Sequence, residues 1–209
     1  MAINIEILDL GINNLASLRR GLAEAGAANL RIVPSASETR SPDLMVLPGV
    51  GNYGAAVREL EQRGLLSTIA EHVSRGGFLF GVCLGMQLLL EGSEESPGAL
   101  GLGLIAGRVE KLTGGPNTRV PNMGWNGLNP RDPELKFPTL SKNLDFYFVH
   151  SYAACPDDES EVLATSPFGD KSFVASVLHE RVLGTQFHPE KSSRAGKQLL
   201  SDVLSWAHG

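Results

Sequence analysis

The 209-residue sequence has only two cysteines, no excess of positive charge and no long hydrophobic run. Lysine and arginine number 18 against 23 aspartates and glutamates, which gives a formal net charge of −5 at pH 7. Because nucleic-acid binding depends on clustered positive charge, and the sequence has no Lys/Arg cluster, nucleic acid is not an expected partner. No apolar stretch approaches the roughly 20 residues of a membrane-spanning helix, so no membrane association is expected.

The N-terminal sequence and the small number of cysteines indicate a protein of a reducing compartment. The first residues, MAINIEILDLG, have neither the basic start nor the long apolar core of a signal peptide, so a cytoplasmic location is expected. Disulfides are rare in that compartment, and Cys83 and Cys155 are therefore each expected to be free thiols. Cys155 stands before a proline in a predicted loop and is interpreted as a residue without a chemical role.

The length and the composition suit one globular domain that spans residues 1–209. Hydrophobic residues make up 42% and charged residues 20% of the chain, which are ordinary values. In the first half, apolar runs alternate with segments of helical spacing. The predicted strands cover residues 3–8, 30–33, 44–47 and 78–82, and the predicted helices cover residues 15–25, 55–66, 65–74 and 84–90. This alternation predicts a parallel sheet with helices on both faces.

The second half of the chain is richer in turns and in short strands. Strands are predicted at residues 146–150, 162–164, 173–177 and 182–187, and an amphipathic helix is predicted at residues 196–206. Because these strands follow one another closely, they are expected to pair antiparallel. Together the two halves predict one α/β domain with a smaller β-rich flank.

A literal G-x-G-x-x-G stands at residues 49–54, between a predicted buried strand and a predicted helix. This pattern is typical of dinucleotide-binding loops, and Glu71 lies at about the spacing expected of a ribose contact. Against that interpretation, the motif follows a later strand instead of the first one, and Pro48 precedes it. A second near-match at residues 101–106 follows a polar loop and is weaker. A nucleotide-binding module is therefore an alternative that a thermal shift with NAD or NADP would test.

Residues 80–87, FGVCLGMQ, carry the strongest chemical signal in the sequence. A predicted buried strand ends in G-x-C-x-G and leads directly into a predicted helix, which is the cysteine form of a nucleophile elbow. Gly81 and Gly85 permit the tight turn that presents Cys83 at the helix start, where unpaired N–H groups favour the thiolate. The N–H of Leu84 is suited to donate to an oxyanion. A buried structural cysteine is the alternative, and the two flanking glycines favour catalysis.

A thiolate that attacks an amide needs a proton shuttle, which is usually histidine. Three of the five histidines have surroundings typical of solvated residues: His72, His179 and His208. His150 and His188 instead end predicted strands, where reacting groups collect in parallel sheets. His188 is followed by Pro189 and Glu190, and this carboxylate is suited to accept the Nδ1–H of the imidazole and fix its tautomer.

Two long motifs resemble those of class I (triad) glutamine amidotransferases, GVCLGMQ at residues 81–87 and GTQFHPE at residues 184–190. Three further stretches narrow the resemblance to the glutaminase subunits of imidazole glycerol phosphate synthases. These stretches are PGVG at 48–51, VPNMGWN at 120–126 and YFVHSY at 147–152. The resemblance implies a flavodoxin-like α/β fold, a mostly parallel sheet with a small antiparallel flank, and hydrolysis of L-glutamine for histidine biosynthesis.

The resemblance also implies roles for individual residues, carried over position by position. The implied catalytic triad is Cys83, His188 and Glu190. The implied oxyanion donors are in Val50, Gly51 and Leu84. The implied glutamine contacts are Gly49, Gly51, Gln87, His150, Ser151 and Tyr152. The implied contacts with a partner subunit are Asn14, Trp125 and Lys191. That partner is implied to be a (β/α)8-barrel cyclase that uses the ammonia, and neither a cofactor nor a metal is implied.

Two further alternatives stay open at this point. The chain is either an active glutaminase or a non-catalytic partner subunit that keeps the fold, and the intact Cys-His-Glu set favours activity. Related glutaminases also feed ammonia to other acceptors, such as sugar-modifying synthases. The stretch at residues 120–126 favours the histidine pathway, and complementation of a histidine auxotroph would discriminate between the two.

Overall fold

The computed structural model describes residues 2–11, 15–115, 118–132 and 136–209, and strands and α-helices alternate through its first half. The strands are β1 (Asn4–Leu8), β2 (Asn29–Val33), β3 (Leu44–Gly49), β4 (Phe78–Cys83), β5 (Gly92–Ser93), β6 (Gly107–Lys111), β7 (Asn122–Asn126), β8 (Asn129–Pro130), β9 (Phe146–His150), β10 (Tyr152–Pro156), β11 (Val162–Phe168), β12 (Lys171–His179) and β13 (Val182–Thr185). The α-helices are α1 (Leu15–Glu24), α2 (Tyr53–Gln62), α3 (Leu65–Ser74), α4 (Leu84–Gln87) and α5 (Ser193–Ala207).

The central feature is an eight-stranded mixed sheet in the order β2-β1-β3-β4-β13-β12-β11-β8. The strands from β2 to β13 in this order run parallel, whereas β12, β11 and β8 continue the sheet antiparallel. Among the described residues, a three-stranded sheet β10-β6-β5 and an antiparallel pair β7-β9 complete the β structure. The predicted antiparallel strands therefore lie mostly in the main sheet itself, as its edge, with only part of them in a separate flank.

The central parallel strands are apolar on both faces, and helices cover each face. On β3, Leu44 and Val46 pack into one hydrophobic cluster, while Met45 and Leu47 pack into the other. Side chains of α1 and α5 complete the first cluster, and side chains of α2 and α3 complete the second. Burial on both faces is the physical reason that these strands are continuous apolar runs in the sequence.

Several element boundaries differ from the predicted ones. Strand β3 continues through Pro48 to Gly49, although the proline was expected to end it. Helix α4 covers only four residues and ends at Gln87, well short of the predicted end at residue 90. Helix α5 has 15 residues and is longer at both ends than predicted. These differences matter at the site, because β3 and α4 both meet there.

The start of α2 is held by its own N-cap residue and by two polar side chains from the segment that follows β5. The side chain of Asn52 accepts a hydrogen bond from the Ala55 N–H at 3.0 Å, as an N-cap does. The Tyr53 N–H donates to Glu95 at 2.6 Å, and the Gly54 N–H donates to Ser96 at 3.0 Å. These contacts satisfy free N–H groups of the first turn, so α2 begins two residues before its predicted start.

Across the described ranges, each helix is too short or too polar to span a lipid bilayer.

Candidate active site

Cys83 lies at the junction of β4 and α4, in a conformation that few non-glycine residues adopt. Its φ is 56° and its ψ is −109°, and the residue is 6% exposed. A positive φ at this position turns the chain sharply from strand to helix, and Cys83 lines a cavity there. The local geometry is therefore that of a nucleophile elbow.

Three glycines make this turn possible because neighbouring groups fill the space that a side chain would need. A Cβ on Gly85 would lie 1.7 Å from the Leu47 carbonyl oxygen, and a Cβ on Gly81 would lie 2.6 Å from the Gly85 oxygen. A Cβ on Gly49 would lie 2.9 Å from the Leu84 Cβ. The ends of β3 and β4 and the first turn of α4 are thus packed backbone against backbone.

His188 and Glu190 form a buried pair just beyond the end of β13. The His188 Nδ1 lies 2.8 Å from a Glu190 carboxylate oxygen, and the two side chains are only 3% and 5% exposed. The Nε2 atom, on the other side of the ring, is buried and has no hydrogen-bond partner within the usual limits. A carboxylate on Nδ1 leaves Nε2 as the atom that exchanges a proton with a nucleophile.

The electrostatics of the pair favour a protonated imidazole. Burial by itself lowers the pKa of His188, but interactions with the Cys83 thiol and with Glu190 outweigh it and raise the pKa to about 10. Because Glu190 occupies Nδ1, the thiol acts on the Nε2 side of the ring. The arrangement is that of a cysteine nucleophile beside a protonated imidazole that a carboxylate orients.

Strand β9 and the start of α5 hold His188 in place through its backbone. The His188 N–H donates to the Tyr147 carbonyl at 2.9 Å, and the Ser192 hydroxyl donates to the His188 carbonyl at 2.6 Å. The same hydroxyl accepts from the Tyr147 N–H at 3.0 Å. The serine therefore links the histidine to β9 from both sides, which restricts the position of the imidazole.

A cavity of about 290 Å³ opens beside Cys83, a size that suits a small metabolite. Its lining residues are Val50, Gly51, Cys83, Leu84, Gln87, Glu95, Pro121, Val149, His150, Ser151 and Tyr152. Apart from Cys83 itself, eight of these residues come from three places: the segment after β3, helix α4, and the chain from the end of β9 to the start of β10. A larger cavity of about 940 Å³ lies near Phe78 and Trp206, and its described lining includes no cysteine or histidine.

The predicted oxyanion residues lie together at the mouth of this cavity. Gly49 is paired with Cys83 across β3 and β4, so the chain after β3 emerges directly beside the sulfur. Val50, Gly51 and Leu84 all line the cavity. Gly51 has a φ of 99°, which favours glycine and sets the direction of its flanking peptides.

Five of the six predicted glutamine contacts line the cavity, all except Gly49, and the side chains of two of them make internal hydrogen bonds. Gln87 donates through Nε2 to the Tyr152 carbonyl at 2.9 Å and to the Gln186 side chain at 3.0 Å. His150 contacts the Tyr152 carbonyl through Nδ1 at 2.8 Å and Asn122 through Nε2 at 3.0 Å. Burial lowers the pKa of His150 to about 4, so its ring is neutral and organises the wall of the cavity.

The predicted partner-contact residues that the structure describes are exposed. Trp125 on β7 is 50% exposed and packs edge-on against the Tyr147 ring, with 5.9 Å between ring centroids. Lys191 is exposed, and its Nζ lies 5.9 Å from the centroid of the same tyrosine ring. These two residues therefore share one surface beside His188 and Glu190. Asn14 lies outside the described residues.

Three features of the site were missed by sequence reasoning or interpreted wrongly. Glu95, a half-buried carboxylate, lines the cavity, and Gln186 donates through Nε2 to the Cys83 sulfur at 3.7 Å. The polar loop around Glu95 had no chemical signal in sequence, whereas Gln186 lies inside the GTQFHPE motif. His72 was predicted to be solvated, which is wrong: it is 9% exposed and contacts the Phe78 carbonyl at 2.9 Å.

The other residues and site types that the sequence analysis considered are not part of the active site. Cys155 is a free thiol on β10, and burial with nearby Glu110 raises its pKa to about 11, so it is a poor nucleophile. Glu71 pairs with Arg75 near the end of α3, shortly before the start of β4, whereas residues 49–51 lie at and just after the end of β3. Because β3 and β4 are parallel neighbours, Glu71 and residues 49–51 lie near opposite ends of these strands, which removes the ribose contact from the nucleotide alternative. No cluster of three or more metal-binding side chains occurs in the described ranges.

Comparison with known proteins gives consistent matches over nearly the whole chain. The family described as "Glutamine amidotransferase class-I" matches residues 6–205. The chain is 43% identical to "Imidazole glycerol phosphate synthase subunit HisH" of Pyrococcus furiosus, over 94% of this chain and 95% of that protein. It is 41% identical to the protein of the same name from Thermotoga maritima, over 96% of each. A solved structure described as a glutamine amidotransferase superimposes with a TM-score of 0.76 at 20% identity, covering 98% of this chain and 99% of that one.

The chain thus belongs to the class I glutamine amidotransferases and, among them, to the imidazole glycerol phosphate synthase subunits named HisH. The predicted family and fold class are both confirmed, and the protein is an enzyme of the glutaminase type.

Proposed function

We propose that the chain hydrolyses L-glutamine at Cys83 and passes the ammonia to a synthase subunit that forms imidazole glycerol phosphate. The observation that carries this proposal is the arrangement of Cys83 at a strained elbow, beside the buried His188–Glu190 pair, on a cavity of about 290 Å³. The names of the relatives at about 40% identity supply the pathway. A cytoplasmic location stays a prediction.

The first half of the reaction forms a thioester. The Cys83 thiolate attacks the side-chain amide carbon of glutamine, and the carbonyl electrons move to the oxygen. Backbone N–H groups of Leu84 and of the Val50–Gly51 segment stabilise this oxyanion, and one such donor contributes roughly 3 kcal/mol to lowering the barrier. The His188 imidazolium gives its Nε2 proton to the departing nitrogen, so ammonia leaves and the C–N bond breaks.

The second half of the reaction returns the free enzyme. His188, now neutral, takes a proton from water, and the hydroxide attacks the thioester carbon. The C–S bond breaks, glutamate is released, and the sulfur returns to the thiolate beside the protonated imidazole. Glu190 stabilises the imidazolium in both halves without accepting its proton.

The cavity offers groups that match the rest of the glutamine molecule. Glu95 is the carboxylate among the residues that line the cavity, and it is suited to the α-ammonium group. Both N–H donors of Gln87 are already used, which leaves its carbonyl oxygen for the substrate. Ser151 and Tyr152 also line the cavity. We therefore assign substrate specificity to the Glu95 carboxylate and to fixed polar groups such as the Gln87 carbonyl.

The product ammonia requires a partner that shields it from water, since protonation to ammonium removes its nucleophilicity. We assign the docking face to the surface around Trp125, Met123 and Lys191, where two large apolar side chains are 50% and 64% exposed. Exposed aromatic residues of this kind are common anchors in interfaces. A (β/α)8-barrel cyclase is the partner that the family resemblance implies.

The test separates ammonia production from ammonia use. In the complex with its synthase subunit, Cys83→Ala is expected to lose glutamine-dependent activity while keeping activity with free ammonium. Cys155→Ala is the matched control and is expected to keep both activities. Loss of both activities in Cys83→Ala would assign the cysteine a structural role and contradict the proposal.

A second experiment decides between the histidine pathway and a sugar-modifying synthase. The gene for this chain is expected to restore growth without histidine in a strain that lacks its own glutaminase subunit. Failure of a well-expressed chain, together with retained glutaminase activity, would favour a different ammonia acceptor.

A further inference from the structure

Gln186 is a buried polar side chain at the site for which the mechanism above gives no role. It follows β13 by one residue, it is 0% exposed, and its Nε2 lies 3.7 Å from the Cys83 sulfur. We propose that Gln186 is a further catalytic residue, which stabilises the Cys83 thiolate by donating a hydrogen bond to the sulfur. We also propose that Gln87 is the positioning residue that keeps this donor turned toward the sulfur. The inference rests on the proposed role of Cys83 as the nucleophile.

The orientation of the Gln87 and Gln186 side-chain amides follows from the Tyr152 backbone carbonyl, because a carbonyl oxygen can only accept a hydrogen bond. The Tyr152 carbonyl lies 2.9 Å from the Gln87 side-chain nitrogen, so Gln87 presents its NH2 group there. The second hydrogen of the same NH2 group points at Gln186, 3.0 Å away, and requires an acceptor. Gln186 therefore turns its carbonyl oxygen toward Gln87, and its NH2 group faces the sulfur of Cys83.

A rotated amide at Gln186 would be unfavourable on both sides. Its NH2 group would face the NH2 group of Gln87, and its oxygen would face the sulfur, so two buried donors would lose their acceptors. The segment is also anchored through its backbone, because the Gln186 N–H donates to the Ala175 carbonyl at 2.9 Å. The structure thus keeps an N–H donor on the sulfur before any substrate binds.

The Gln186 donor supplies stabilisation of the thiolate that the short helix α4 does not. A helix dipole at the sulfur was expected to favour the thiolate, but α4 has only four residues and supplies a weak dipole. A hydrogen bond from a neutral amide stabilises a thiolate more than a thiol, because the acceptor is charged. Because Gln186 is 0% exposed, the donor lies in a buried position where the hydrogen bond is stronger than it would be in water.

The experiment measures the pH dependence of Cys83 alkylation by iodoacetamide in the full chain, followed by mass of the Cys83 peptide. In Gln186→Met, which keeps the length of the side chain without its donor, the pH midpoint is expected to rise by about one unit or more, as for loss of one hydrogen bond to a charged group. In Gln87→Met a smaller rise in the same direction is expected. Glutaminase kcat is expected to fall with the thiolate fraction, while KM changes little in Gln186→Met.

Thr185→Val is the matched control, since Thr185 is equally buried in the same segment and its hydroxyl contacts the Phe187 carbonyl at 3.3 Å. It is expected to keep the wild-type alkylation profile. Gln186→Glu covers the case in which Gln186→Met does not fold: the carboxylate keeps the size of the side chain and is expected to raise the midpoint further. A wild-type midpoint in a folded Gln186→Met or Gln186→Glu chain would overturn the proposal. Alkylation needs no glutamine, so this result is independent of whether Cys83→Ala abolishes glutaminase activity.

Discussion

Glu190 is the residue that sets the protonation of the proton shuttle. Its carboxylate lies 2.8 Å from His188 Nδ1 inside a buried site, and its charge contributes to the raised pKa of the imidazole. Glu190→Gln keeps the hydrogen-bonding shape and removes the charge. We expect glutaminase kcat to fall by about 10²–10⁴-fold, since the orienting carboxylate of a triad has this order of effect. Steady-state glutamine hydrolysis at neutral pH measures it, with Glu24→Gln at the exposed end of α1 as a control.

His150 gives the site a dependence on pH that is separate from catalysis. Burial lowers the pKa of His150 to about 4 in the folded state, whereas an unfolded histidine titrates near the ordinary 6.5. Between these two values the unfolded chain binds a proton that the folded chain does not. The free energy of unfolding is therefore expected to fall as the pH drops from about 6.5 toward 4, by about 3 kcal/mol at most from this residue.

Denaturant unfolding at several pH values checks this expectation. His150→Gln removes the titrating group, and its stability is expected to change less over the same pH range. His208, which is exposed in the C-terminal residues, provides the control: His208→Gln is expected to keep the wild-type dependence. An equal loss of stability in wild type and His150→Gln would show that another group dominates.

At the level of elements, the elbow depends on close packing of β3 against the first turn of α4. A Cβ on Gly85 would lie 1.7 Å from the Leu47 carbonyl oxygen, so both backbones would have to move. Gly85→Ala is expected to destabilise the fold by at least about 3 kcal/mol and to displace Cys83. Thermal unfolding and iodoacetamide labelling measure the two effects. Gly127→Ala is the control, because its nearest neighbour, an Asp145 oxygen, is at 3.7 Å.

Sequence patterns located the helices and strands better than they located the ends of these elements. Apolar periodicity located the parallel strands, since burial on both faces leaves a continuous hydrophobic run. It placed the end of α4 three residues too late, because the apolar residues after Gln87 are buried in a loop as well as they would be in a helix. Pro48 was interpreted as a strand end, yet β3 passes through it to bring Gly49 beside Cys83.

At the scale of the whole molecule, the exposed surface around Trp125 and Met123 is the face that we assign to the partner. Trp125 is half exposed and is braced by the Tyr147 ring, so it presents a rigid apolar anchor. Trp125→Ala is expected to weaken binding to the synthase subunit by at least about 2 kcal/mol, or roughly 30-fold in Kd. Isothermal titration calorimetry measures the loss. Ile32→Ala on the edge strand β2 is the control, and the alkylation of free Cys83 is expected to be unchanged in both variants.

The sequence by itself determined the family, the α/β class and the candidate nucleophile, base and orienting carboxylate. The elbow needs glycines next to Cys83, and the base needs a carboxylate close to His188. Both needs are met by residues that are neighbours in the chain, so a sequence motif reveals them. Even the G-x-G-x-x-G at residues 49–54 was assigned to an oxyanion only through the other motifs, since a glycine loop alone suits many anions.

Only the tertiary structure decided how the distant residues meet. Gln186 is 103 residues from Cys83, and Gln87 is 99 residues from Gln186, so no local pattern relates them. Parallel pairing of β4 with β13 brings these segments together, and the same sheet order brings the end of β3 to the sulfur. Likewise, His72 and His150 differ from solvated histidines only because folding removes water around them. Burial and contacts between remote segments are properties of the packed chain, which is why they were absent from the sequence pattern.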